Sequence, residues 1–224
     1  MAVATATRRP AARVAEPGSG GGATRVVVAV LGTLVGLAGV EHGVGEVLQG
    51  PVRPGGLLIM SWPDAPALEI LSGEPAFTVV PNLLATGVLA VVVGLAVAVW
   101  SIWFAARSYG GLVLIGLSGV LLLVGGGLAP PLMGVVVGAV ATRLTAVPRR
   151  RPGRFGRMIG PGWRWLLAGA VLGYLGLMPG MVLAGFWGVA SEALVIGFAA
   201  FAFANFALAL AAARAHDRLD AATR

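Results

Sequence analysis

The sequence predicts an all-α fold, a polytopic transmembrane helical bundle of six spans with both termini on the cytoplasmic side. Three observations carry that prediction. Hydrophobic residues make up 58% of the 224-residue chain and charged residues 11%, at a mean hydropathy of +0.90, whereas soluble domains are roughly a quarter charged. The apolar residues gather in blocks of about 17 to 25, the length a hydrocarbon core of about 30 Å requires at 1.5 Å per residue. Arginines and tryptophans, finally, fall at the ends of these blocks in a pattern that orients them.

Residues 1–24 mix Ala, Gly, Ser, Pro and Arg without apolar periodicity and are expected to form a disordered cytoplasmic tail. The bundle, residues 25–214, contains spans at 26–48, 81–105, 111–127, 131–147, 165–187 and 190–213. An outer loop at 50–80 separates the first two. In it, Trp62-Pro63-Asp64 leads into an apolar stretch that Gly73 closes as a short helix, and the loop reads as a lid over the bundle. The third and fourth spans are short and form either a full hairpin or a re-entrant pair, which leaves the parity of the later helices unchanged. Between them, Gly125, Gly126 and Gly127 end one helix and Pro130 and Pro131 begin the next, the usual asymmetry of a tight turn, the alternative being a broken helix that exposes backbone groups to an ion or substrate. A basic cytoplasmic loop at 148–164 precedes the fifth span, and 215–224 form a cytoplasmic tail.

Orientation follows from the arginines, because cytoplasmic loops carry the basic excess. With the N-terminus inside, fifteen of the sixteen basic residues are cytoplasmic and only Arg53 falls outside, where Asp64, Glu69 and Glu74 also lie. Trp100 and Trp103 end the second span, Trp163 and Trp165 begin the fifth, and Trp187 closes it at the opposite face. The formal charge of +7 therefore reflects anchoring in a cell membrane, with the Arg-rich loop against anionic lipid headgroups, rather than nucleic-acid binding. All the basic residues are arginine, which points to a GC-rich bacterial genome.

Within lipid, close backbone approach at small residues supplies the contact that holds helices together. Gly32, Gly36, Gly39 and Gly43 follow spacings of four, three and four, which places them on one stripe of the first helix. Gly169, Gly173, Gly176 and Gly180 repeat the spacing in the fifth, which Pro179 is expected to kink. No matching polar residues accompany the shared spacing to indicate duplication, and the sequence leaves a homo- or hetero-oligomer open.

The densest polar cluster in any span is Glu41, His42 and Glu46, near the outer end of the first helix. Ionisable groups at membrane depth mark functional sites by default. His42 and Glu46, four apart, share a face on which they could exchange a proton, while Glu41 points to roughly the opposite side. The competing reading is interfacial: at about 24 Å along a 30 Å core, Glu41 approaches headgroup water. Glu46 then lies at the surface or pairs with Arg53. Two candidate ligands fall short of the three or four of a dedicated metal site, and the chain has no cysteine. No metal, cofactor or catalytic residue is therefore assigned. Gly116-Leu117-Ser118-Gly119 matches the GxSG of rhomboid proteases, but the sixth span has no histidine to act as base.

The segments GVEHGVGEVLQG, SWPDAPALEILSGEPAFTVVPNLL and LLLVGGGLAPPLMG resemble a family of small bacterial membrane proteins, over residues 32–147. The resemblance implies that these segments form the common core, and it carries over no activity or site residue. Three function classes remain open: passage or sensing of a small solute or proton through the bundle, a non-catalytic membrane scaffold or accessory subunit, and a membrane enzyme, for which the sequence supplies no complete set of convergent polar residues.

Overall fold

The computed structural model describes residues 22–63, 73–146 and 152–223. Most of the expected N-terminal tail, the expected loop helix with Asp64 and Glu69, and Arg149, Arg150 and Arg151 lie outside them. The described residues are predominantly helical, with six helices: α1 (Gly22–Leu48), α2 (Leu83–Trp103), α3 (Gly110–Leu123), α4 (Ala129–Ala141), α5 (Arg154–Phe186) and α6 (Glu192–Thr223). By length and composition, α1, α2, α5 and α6 are able to cross a membrane. The other two, of 14 and 13 residues, are about 20 Å long at 1.5 Å per residue, short of a full hydrocarbon core.

Helix α1 is the centre of the molecule and packs on α2, α4, α5 and α6. Its pairing with α2 is the most extensive, and glycines on both partners explain it. A Cβ on Gly36 would lie 2.8 Å from the Ala98 nitrogen, and one on Gly43 would lie 2.9 Å from the Val91 nitrogen. In return, a Cβ on Gly87 would lie 2.7 Å from the Val47 nitrogen and one on Gly94 2.6 Å from the Gly36 oxygen. Gly32 meets Ser101 of α2, but Gly39 turns to Leu121 of α3. In α5, Gly169, Gly173 and Gly176 meet Asn205, Ala202 and Phe198 of α6, whereas Gly180 meets only Leu175 of its own helix.

Two helices run further than the hydropathy boundaries place them. The expected basic loop is helical from Arg154, with a tight turn at Gly160–Gly162 before Trp163. Helix α6 extends to Thr223, through the expected tail. Tertiary packing accounts for both, since Gly156 and Gly160 sit against Ala215 and Leu219 of α6. The carboxylate of Asp217 also accepts bonds from the amides of Ala23 (3.0 Å) and Thr24 (2.9 Å) and from the Thr24 hydroxyl. It thereby serves the first-turn N–H groups that helix geometry leaves unpaired in α1. At Gly176–Gly180, α5 widens into a π turn around Pro179, which has no N–H to give the regular ladder.

At the opposite end, here termed the loop end, two short antiparallel strands cover the bundle: β1 (Leu58–Met60) and β2 (Pro75–Phe77), with Ile59 opposite Ala76. The ribbon is tied to the helices on both sides. The Val79 amide donates to the Leu123 carbonyl and the Gly125 amide to the Phe77 carbonyl. Gln49, one turn past the buried face of α1, donates to the carbonyls of Met60 and Ser61, each at 3.0 Å.

Candidate functional site

Three stretches far apart in sequence converge at the loop end. The first is the last two turns of α1, whose 3.6-residue period carries His42 and Glu46 inward beside Gly43. The second is the start of β2, where the ladder continues past the strands through the Ser61 amide to the Glu74 carbonyl (3.1 Å) and the Trp62 amide to the Gly73 carbonyl (2.9 Å). That register places Ser61 and Glu74 over α1. The third is the glycine turn between α3 and α4, where Gly125 and Gly127 have φ of +90° and +81°, a conformation glycine adopts without steric cost.

His42 stands at the centre, 6% exposed. Its Nδ1 donates to the Ala38 carbonyl at 2.9 Å and lies 3.2 Å from Glu41 Oε2; Nε2 lies 3.5 Å from Glu74 Oε2. A Cβ on Gly127 would lie 2.6 Å from Nε2 and 2.9 Å from both adjacent ring carbons. The glycine therefore packs on the face of the imidazole and leaves its edge free.

The placement of Glu41 corrects the sequence reading, which set it on the far side of the helix. Adjacent residues on a helix do not face one another, but the ionic group of a glutamate ends three bonds beyond Cβ and here folds back to the ring. Glu46 is corrected as well. Neither surface-exposed nor paired with Arg53, it is fully buried and its Oε1 accepts from the Ser61 hydroxyl at 3.2 Å. Its burial follows from the ribbon and the glycine turn, which cover what an isolated helix would leave at the interface; Gly125 packs directly on its carboxylate.

Glu74 is the residue that sequence reasoning missed. It is 4% exposed, and it is one of two non-glycine residues with positive φ, at +55°, among those described. Such a conformation costs about 1–3 kcal/mol and persists where the surroundings enforce it, often at functional sites. Burial pushes its carboxyl up from the ordinary 4.5 to about 8, against the opposing influence of His42. The only signal in the sequence is an acidic residue held between Gly73 and Pro75, which does not reveal a partner. Ser118, the serine of the GxSG match, is buried and donates to its own helix at Leu114 (2.8 Å), an ordinary fate for a serine in an apolar helix.

Two cavities adjoin the cluster. The larger, about 360 Å³, lies between α1, α4, α5 and α6, and its lining is apolar except for His42, Glu74 and Tyr174 at one end. The smaller, about 230 Å³, is bounded by Glu41, Trp62, Glu74, Tyr174 and the widened turn of α5 at Met178 and Pro179. Glu74, Tyr174 and Met178 border both. No family model, curated protein or solved structure matches the chain.

Proposed function

We propose that the chain is an integral membrane protein of six spans, with both termini cytoplasmic and the short α3 and α4 accommodated by local thinning of the bilayer, that binds a small amphiphilic solute in the larger cavity for passage or sensing. The supporting observation is the shape of that cavity. It is an apolar chamber within the usual 300–1,000 Å³ of small-molecule sites, with a few convergent polar groups at one end. Its lining suits a molecule with a hydrocarbon body and a head that is cationic or donates hydrogen bonds to Glu74. The second cavity shares Glu74, Tyr174 and Met178 with it, so these side chains are the candidates for a gate between the two. Large apolar side chains exposed along α2, including Val88, Val92, Leu95 and Ile102, form a face suited to hydrocarbon.

The function is tested by thermal melts of detergent-purified protein in chelator across a panel of small amphiphilic amines, alcohols and acids. A ligand at 100 times its dissociation constant stabilises by about 2.7 kcal/mol. The expected result is a rise in Tm for one class that Ala199→Phe, which fills the chamber, abolishes. No shift across the panel would favour the scaffold role. For the topology, reporters fused at residue 128 and at the C-terminus should signal outside and cytoplasm respectively; an external C-terminus would overturn the six-span parity.

A further inference from the structure

The geometry points to a divalent metal site at the loop end, with Glu41, His42 and Glu74 as ligands and Zn²⁺ as the ion their chemistry fits best. One donor atom from each of the three lies within 4.8 Å of the others. A tetrahedral zinc with bonds of about 2.0–2.2 Å sets its donors about 3.4 Å apart, and Nε2 of His42 is 3.5 Å from Glu74 Oε2. Glu41 Oε2 lies on the Nδ1 side of the ring at 3.2 Å, and its side chain is 26% exposed; to share the ion its carboxylate turns to the Nε2 edge.

The histidine is prepared for this role. Its Nδ1 faces the Ala38 carbonyl at 2.9 Å, and a carbonyl only accepts, so Nδ1 carries a hydrogen and Nε2 is the nitrogen left to ligate a metal in the neutral ring. Metal-bound histidines are oriented in this way by a backbone carbonyl or carboxylate behind them. Gly127 covers the ring face without obstructing that edge.

Unpaired charge gives the independent argument. The buried Oε2 atoms of Glu41 and Glu74 have no hydrogen-bond partner, and neither has that of Glu46. Three carboxylates thus surround one imidazole, and the ion pairs of Glu41 and Glu74 are with His42 alone among the described residues. Burying an ionised carboxylate without a counter-charge is costly, and a single imidazole cannot serve all three. A divalent cation offsets two, and Glu46, bonded to Ser61, supports the site from behind. One nitrogen and two carboxylate oxygens suit Zn²⁺ over Mn²⁺ by the usual affinity order. The fourth position opens toward the smaller cavity, where Trp62 Nε1 also lacks a partner.

The inference goes beyond the solute reading and does not depend on it, because the solute panel is run in chelator. The test uses the full chain, purified in detergent and stripped of metal, with equilibrium dialysis against Zn²⁺ or Mn²⁺ and elemental analysis. Wild type is expected to bind one Zn²⁺ per chain, more tightly than Mn²⁺. His42→Ala and Glu74→Gln should each weaken Zn²⁺ by roughly 100-fold or more, beyond the 10–100-fold typical of losing an orienting partner. Glu41→Gln, at the partly exposed position, should weaken it while the melt in chelator stays cooperative, which separates ligand loss from misfolding. Co²⁺ in place of zinc should give the visible absorption of a four-coordinate ion, lost in His42→Ala. No stoichiometric binding by wild type that melts cooperatively, or binding that survives all three substitutions, would overturn the site.

Discussion

At position 74 a carboxylate occupies a left-handed backbone conformation and an almost fully buried place at once, two costs that local sequence preference would avoid. Both are imposed by the ribbon register and by the crowding of His42, Glu41 and Tyr174 around it. The consequence is a pH dependence of stability with a definite sign. The folded carboxyl titrates at about 8 and the unfolded one at about 4.5, so between those values the folded chain holds a proton the unfolded chain releases. Stability is therefore fully present below about pH 4.5 and falls as pH rises through 8. A shift of this size is worth on the order of a few kcal/mol. In metal-free protein, Glu74→Gln should flatten the decline in Tm between pH 5 and pH 8, both approximate settings chosen to bracket most of the transition. An unchanged decline would mean that other groups set it.

Among the elements, α1 and α2 show why glycine content alone is a poor guide to packing. The two helices touch through reciprocal glycines, and each contact leaves no room for a methyl group. Gly116 on α3 belongs to an equally glycine-rich stretch, yet a Cβ there would meet nothing within 4 Å. The same substitution should thus have opposite signs at the two places. Gly36→Ala forces α1 and α2 apart and should destabilise by about 1–3 kcal/mol, whereas Gly116→Ala should stabilise by about 0.5–1 kcal/mol through helix propensity. Chemical denaturation in mixed micelles measures both; equal effects would contradict the seam. The sequence spacing located the stripe on α1, but it did not reveal that Gly39 serves α3 instead of α2. That assignment depends on where the third helix enters.

On the scale of the whole molecule, the first and last helices meet through Asp217, 194 residues from Ala23. Asp217→Ala leaves first-turn amides of α1 without their carboxylate partner and should cost roughly 0.5–2 kcal/mol, read as a lower Tm; an unchanged melt would show that the bond adds nothing. Nothing near Asp217 in sequence signals this role, which is why 215–224 read as a tail. Helical class and the approximate position of each helix, by contrast, were legible, because apolar block length and residues that start or stop helices, such as Asn82, Pro130 and Gly125, act locally. His42 and Glu46 stood out by themselves, since charge in an apolar helix is conspicuous in any sequence. Their surroundings were not legible. Glu74 reaches His42 only because β2 pairs with β1 and then bonds to the end of α3, and the chamber exists only because α5 and α6 stand beside α1 and α4. The sequence by itself determined that the chain is helical and apolar and where its buried charges begin. Tertiary structure decided which of those charges meet, because side-chain chemistry at a site depends on distances across elements that no local periodicity encodes.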